Sequence, residues 1–320
     1  MNNVSTVRPS FNVRRRFMPE IWLVVIGAAL WGVDPLFRVL LLKYLTSTQI
    51  VLLEHIILFF FAAPVLIKRR HELWNVRLLQ VGALLFLSWG GSAIATILFT
   101  QGLATGDLNA VLLLQKLQPL IAIIMARYLL KERLPQYFGV LIALALVGTY
   151  LLTFGWSVPD FGAGAFVQVG SLLSVGAAIL WGGSTVMGRY MLGSMSYETV
   201  TSLRFILALP LLLVITASGG GSWIFPTNGG EQALMALNMI LQALLPGLLS
   251  LLLYYKGLSV VKASYATLAE LSFPMVGVII NWIAFNQMIT TAQLTGFVLI
   301  WATLYMISKQ QSDGPSARLN

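Results

Sequence analysis

Six ionisable residues, Asp34, Arg38, Glu54, Lys116, Arg204 and Glu270, stand well inside long apolar runs of a 320-residue chain. Lys116 poses the sharpest problem. It sits in LLLQKLQPL, residues 112–120, within an apolar run from Leu108 to Ala126. At about 1.5 Å per residue that run covers roughly the 30 Å of hydrocarbon in a bilayer. A charge near mid-depth costs at least about 2.5 to 3.5 kcal/mol, so Lys116 is expected to face a counter-charge, a bound solute or a water-filled cavity. Such residues can pair with one another, hydrogen-bond a polar solute or exchange protons. Three are acidic and three basic, so the set sums to zero. A neutral set suits a zwitterionic or amphipathic solute, such as an amino acid or related compound, and would equally arise from purely structural pairs.

Spacing narrows the pairings. Asp34 and Arg38 are four residues apart on one helical face, close enough to bond within their own helix. Pro35 beside them predicts a kink that frees backbone carbonyls. Glu54 with His55, and Lys116, each lie about two turns in from the same end of their spans, so a Glu54–Lys116 ion pair is feasible. His55 is about 100° around the helix from Glu54 and reads as a packing residue. Gln115 and Gln118 share a face, from which Lys116 departs by about 100° on an ideal helix. Arg204 and Glu270 lie about two turns inside their spans from the opposite side. Trp31, Trp89, Trp181 and Trp282 are candidates for the interior or the interface, and Trp31 and Trp181 stand out because the sequence duplicates them.

Other chemistries find no support. The chain has no cysteine, and His55 and His71 match no zinc spacing, so neither a metal nor a cofactor is expected. There is no GxxxxGK[ST] loop for ATP. HExxH and GxSxG are absent too, which argues against an intramembrane enzyme. Interior charges of mixed sign do not build the one-sign ring of an ion channel. Proton coupling stays open through the buried carboxyls.

The elements that must position these residues are membrane spans. Composition is 58% hydrophobic and 10% charged, with a mean hydropathy of +0.84. A soluble domain carries about 25% charged residues, so the chain is read as an integral membrane protein in contact with lipid. Ten apolar windows are expected, near 20–42, 48–67, 78–98, 108–127, 135–153, 164–187, 197–217, 234–254, 263–283 and 289–308. The net charge of +9 does not call for nucleic acid. Its basic clusters, Arg14–Arg16, Lys68–Arg70 with Arg77, Lys131 and Arg133, Arg189, Lys256 and Lys262, and Lys309 with Arg318, all fall on one side. Opposite them lie Lys43, Asp107, Asp160 and Glu231. The positive-inside rule then makes both termini cytoplasmic, and the compartment expected is a bacterial inner membrane. NVRRRFMPE opens a retained first span, with no small-residue cleavage site after it.

The spans repeat. LFTQGLATGDLNAVLLLQKLQPL from Leu98 aligns without gaps to LYYKGLSVVKASYATLAELSFPM from Leu253, and AALWG at Ala28 pairs with AILWG at Ala178. By these offsets Glu54 corresponds to Arg204 and Gln115 to Glu270. Two halves of five spans must be oppositely oriented, which is the inverted-repeat plan of secondary transporters. The expected architecture is an all-α integral membrane protein of ten transmembrane helices, as two inverted five-helix repeats around a central cavity. Its divisions are a cytoplasmic segment 1–19, repeats at 20–153 and 164–308, and a cytoplasmic tail 309–320.

The two LWG motifs, Arg204–Phe205, LLKERL at Leu129–Leu134 with Gly139, and the late prolines Pro119 and Pro274 together resemble the drug/metabolite transporter superfamily, EamA type. The resemblance covers about residues 20–308. It implies a secondary transporter moving a small metabolite by alternating access through a cavity lined by spans one to four and six to nine. Two departures stand out: Glu54 occupies the position matching Arg204, and Gln287 stands where the first half has Glu132. The residues expected at substrate are Asp34, Arg38, Glu54, His55, Gln115, Lys116, Gln118, Trp181, Arg204 and Glu270.

Overall fold

A computed structural model describes residues 17–134, 136–158, 168–285 and 288–312. Arg14, Arg15, Arg16, Asp160, Gln287 and Arg318, and most of the two terminal segments, lie outside the described residues. Every regular element among those described is helical. We number them α1 (Phe17–Trp31), α2 (Asp34–Leu41), α3 (Ser47–Lys68), α4 (Leu78–Thr105), α5 (Leu108–Gln115), α6 (Gln118–Leu129) and α7 (Phe138–Phe154). The second half supplies α8 (Val169–Met191), α9 (Tyr197–Ser218), α10 (Gly229–Leu258), α11 (Ala263–Glu270), α12 (Pro274–Phe285) and α13 (Thr291–Ser312). Seven segments are long and apolar enough to cross a membrane: α1 with α2, α3, α4, most of α5 with α6, α8, α9 and α10. α7 and most of α13 are shorter apolar helices.

Local chemistry sets the ends. Thr46 caps α3 in a capping box with Gln49, and Ser196 caps α9 through Thr199 N. Three of the ten windows are interrupted, the first beside Pro35, where a kink is expected. The first window divides at Gly32–Val33, ahead of Pro35; the fourth at Lys116–Leu117, ahead of Pro119; the ninth at Leu271–Phe273, ahead of Pro274. Proline lacks the N–H and collides with the carbonyl four residues back, so each helix tightens into i→i+3 bonds and restarts. Leu117 N to Leu114 O at 3.0 Å and Phe273 N to Glu270 O at 3.1 Å are two such bonds. α4 and α10 stay continuous but pass through π-helical stretches at Phe86–Ile94 and Ala243–Leu249.

The helices pack in pairs, α3 on α9, α1 on α10, α4 on α8 and α7 on α13, while α6 packs on both α8 and α11. Small residues let them approach. A Cβ on Gly32 would lie 2.5 Å from Phe273 O, and one on Gly182 would lie 2.9 Å from Gln118 O. Trp22, Trp89, Trp282 and Trp301 are exposed on the outer surface. The largest fully buried side chains, Tyr254 and Tyr255, stand at the centre.

Candidate functional site

The three helix breaks and the two π-helical stretches surround one cavity of about 1150 Å³ of non-atom space, open solvent included. All ten residues expected at substrate line it: Asp34, Arg38, Glu54, His55, Gln115, Lys116, Gln118, Trp181, Arg204 and Glu270. The Asp34–Arg38 pair forms as expected, and the Glu54–Lys116 pair does not.

Arg38 is the hub of the first cluster. Its Nε donates to Asp34 Oδ2 at 2.6 Å, Nη2 to Glu54 Oε2 at 3.1 Å and Nη1 to Thr100 Oγ1 at 3.3 Å. Gln242 Nε2 donates to Asp34 Oδ1 at 2.5 Å. The Asp34–Arg38 pair is therefore present, but Glu54 spends its carboxylate on Arg38, and the Glu54–Lys116 pair is not formed. The break at Gly32–Val33 restarts the chain as a separate short helix whose Arg38 reaches across to α3, which window-depth counting does not register.

Lys116 is held by neutral groups. Its Nζ donates to Gln115 Oε1 at 3.2 Å and stands 3.4 Å over the centre of the Phe273 ring, a close cation–π contact. Gln115 Nε2 donates in turn to Gln118 Oε1 at 3.2 Å, and Gln118 Nε2 to Glu270 Oε2 at 2.7 Å. An ideal helix would have swung Lys116 away from both glutamines. The turn at Lys116–Leu117 resets the helical phase, so all three face the cavity. Lys116 also follows the last residue of α5, where the half-helix dipole favours a cation.

Glu270, the last residue of α11, accepts from Gln118, from Tyr254 OH and from Thr185 Oγ1 at 3.4 Å. Arg204 donates from Nε to Ser92 Oγ and from Nη1 to Tyr255 OH, both at 2.6 Å. The four ion pairs among the described residues include none of Lys116, Arg204 or Glu270. Each is met by hydroxyls, amides or rings rather than by an opposite charge.

His55 Nδ1 donates to Val51 O at 2.8 Å, and its ring stands edge-on to Phe205. It packs as expected, except that Nε2 is buried without a partner. Trp181 Nε1 donates to Gly91 O at 2.9 Å and its ring lies against Phe99, while Trp31 lies against Tyr254. Tyr254, Tyr255 and Phe273 are wall residues that sequence reasoning missed. The signal lay in the repeat, where they align with Phe99, Thr100 and Gln118.

Electrostatically the cavity joins a self-contained acid–base cluster to two basic side chains and one carboxyl that have no ionic partner among the described residues. Around these runs an aromatic wall. It can take a flat or amphipathic solute against the rings and hold the solute's polar edge by donors from Lys116 and Arg204. No His, Cys, Asp and Glu group among the described residues could hold a metal.

Comparison with known proteins agrees in kind. The chain is 32% identical over 295 residues to the riboflavin transporter ImpX of Fusobacterium nucleatum subsp. nucleatum, an alignment covering 90% of this chain and 96% of that one. A solved crystal structure superposes with a TM-score of 0.74 at 16% identity, covering 92% of this chain and 98% of its own, a likeness of fold. The profile of the EamA-like transporter family matches both halves, at residues 18–154 and 168–309, and the chain belongs to that family of membrane transporters.

Proposed function

We propose that the protein carries a flat, polyhydroxylated heteroaromatic metabolite of the riboflavin class by alternating access. The observation that carries this reading is the combination in one cavity of aromatic walls, from Trp31, Phe99, Trp181, Tyr254 and Phe273, with two basic side chains, Lys116 and Arg204, that form no ion pair among the described residues. An isoalloxazine ring offers a wide face to the aromatics. Its carbonyl and ring-nitrogen edge is rich in acceptors, the complement of the free N–H groups on Lys116 and Arg204. Kinship to a protein named as a riboflavin transporter supports the same class.

The proposed frame is ten spans in two inverted repeats, 20–153 and 164–308, with the basic face and both termini cytoplasmic in a bacterial inner membrane. Contacts at the breaks support it. Gln118 corresponds to Phe273 and Gln115 to Glu270 by the repeat. Gln118 bonds Glu270, while Phe273 lies under Lys116, the neighbour that Gln115 binds. Such reciprocity is what a two-fold relation between the halves produces.

A second reading is a zwitterionic amino acid. It is favoured by Glu270, a carboxylate outside any ion pair that shares the cavity with Lys116. Counterflow in proteoliposomes separates the two. Labelled riboflavin should enter saturably, faster into vesicles preloaded with riboflavin, and excess amino acids should not compete. Entry of a labelled amino acid without riboflavin entry would favour the second reading, and flux linear in gradient would indicate a pore.

A further inference from the structure

One carboxylate outside the cavity binds the two halves together. Glu132 follows α6 in the LLKERL stretch and accepts from Ala263 N at 2.9 Å, Ser264 N at 3.1 Å and Ser264 Oγ at 2.5 Å. These are the first N–H groups of α11, and the first turn of a helix has no acceptor of its own for them. The residue at the capping position of α11 is Lys262, whose side chain has no acceptor. At the equivalent place in the first half, 155 residues earlier, stands Asp107, which caps α5 itself by accepting from Ala110 N at 2.8 Å. The second half has thus exchanged a cap within the helix for one supplied by the first half. Gln287 stands where the repeat places the counterpart of Glu132, so no second carboxylate occupies that position.

Two further observations mark the contact as built. Lys131, immediately before Glu132, has φ of 54°, the one described non-glycine residue in the left-handed region. Such a conformation persists where its surroundings over-determine it, and here it turns the carboxylate onto α11. Lys262 Nζ also donates to Arg133 O at 3.4 Å, closing a reciprocal pair of contacts between the same two loops. All of Ala263–Glu270 is buried, so α11 is a rigid strut of about 12 Å from the Glu132 contact to Glu270 in the cavity.

We propose that Glu132 is a positioning residue that fixes Glu270 and the Leu271–Phe273 break through α11, and that this tie must release for the cavity to open toward the basic face. The α5 end, capped by its own Asp107, opens without breaking a charged contact between halves.

The cysteine-free chain allows a direct test by spin labels at Tyr128→Cys, near the end of α6, and Val260→Cys, just before α11, both exposed positions. In full-length protein in liposomes, the wild-type background should give one dominant short distance by double electron–electron resonance. Glu132→Ala should raise a longer-distance population by about tenfold, the order expected from losing a charged cap. The deciding variant is Glu132→Ala with Lys262→Asp, which returns a cap to α11 itself. It should recover thermal stability yet keep the longer distance, because the tie between halves stays cut. Return of the wild-type distance in the double variant would make Glu132 only a helix cap and overturn the proposal, as would an unchanged distance in Glu132→Ala. If Glu132→Ala alone does not fold, the double variant decides by the same two outcomes. The measurement uses no substrate, so it stands or falls apart from the riboflavin reading.

Discussion

Lys116→Met separates a lysine that serves transport from one that serves folding, and the structure allows the sizes to be set out. The substitution removes a charged hydrogen bond at 3.2 Å and a cation–π contact at 3.4 Å. Those are worth about 1.5 to 3 and up to about 2 kcal/mol. It leaves Gln115 Oε1 without its donor, a further cost of about 1 to 3 kcal/mol if water does not replace it. Against these stands relief from holding a buried ammonium without a counter-ion, several kcal/mol in a dry interior. The methionine sulfur can also rest on the Phe273 ring, for about 0.3 to 1.5 kcal/mol. No carboxylate is orphaned, because Glu54 belongs to Arg38. These terms oppose one another, so Lys116→Met should cost less than the about 3 to 5 kcal/mol expected from breaking a buried ion pair.

Transport should fall at least about tenfold, the loss expected from one charged hydrogen bond to substrate. Counterflow of labelled riboflavin, normalised to folded protein, and thermal unfolding in detergent give the two readouts. Normal transport in Lys116→Met would refute the substrate role of the lysine. Adding Glu54→Gln should not restore transport, since it removes a partner of Arg38; restoration would mean that Glu54 and Lys116 pair in some other state of the cycle.

Arg38→Met should be the damaging cavity substitution for stability, by about 3 to 5 kcal/mol, because it leaves Asp34 and Glu54 without their cation; unfolding that matches Lys116→Met would contradict the cluster. Leucine at Gly182 or Gly32 should lower folded yield severalfold, since a Cβ at either position already lies within 3.0 Å of a backbone carbonyl; wild-type yield would remove close packing as the reason for these glycines. Glu72 lies outside the spans, and although burial pushes its carboxyl up, hydrogen bonds from Ser196, Thr199 and Arg69 hold it below the ordinary 4.5. A lowered value stabilises the fold above the unfolded pKa and is lost as pH falls through the folded one, so the melting gap between wild type and Glu72→Gln should be full at neutral pH and close below about pH 4.5; a gap independent of pH would contradict it. In intact cells an impermeant maleimide should label Thr227→Cys and spare Asn75→Cys, and the reverse would invert the proposed orientation.

The cavity was legible in the sequence because a bilayer penalises polar groups so strongly that their positions alone mark an interior. Asp34, Arg38, Glu54, Lys116, Arg204 and Glu270 needed no structure to be singled out, and with His55, Gln115, Gln118 and Trp181 they line one space. Of the wall aromatics, Trp31 and Trp181 were legible through the repeat, whereas Phe99, Tyr254 and Phe273 were not. Tyr254 and Phe273 look no different in an apolar window from Trp89 or Trp282, which are exposed on the outer surface. The sequence also held one exchange in view, Asp107 against Lys262 in the repeat, which says that α11 lacks a cap of its own. It could not say that Glu132 supplies it, because that contact depends on how the ends of α6 and α11 meet.

Pairing failed for a physical reason that can be turned to use. Ideal helical phase set Lys116 about 100° from Gln115, with Pro119 the residue that could loosen that turn, and equal depth in the spans made Glu54 a feasible partner. A proline four residues beyond a carbonyl breaks that bookkeeping, and Pro119 and Pro274 occupy the same place in both halves. Resetting the phase at each proline would have released Lys116 from the ideal face and brought it to the glutamines. The residues just before the two prolines, Gln115 to Gln118 and Glu270 to Phe273, are then the ones whose side chains can converge from both halves. In the structure they do, through Gln118 on Glu270 and Lys116 on Phe273. A broken helix thus frees its polar residues from the single face that an unbroken one imposes, and a transporter that must surround a solute from several directions gains its site from the breaks themselves.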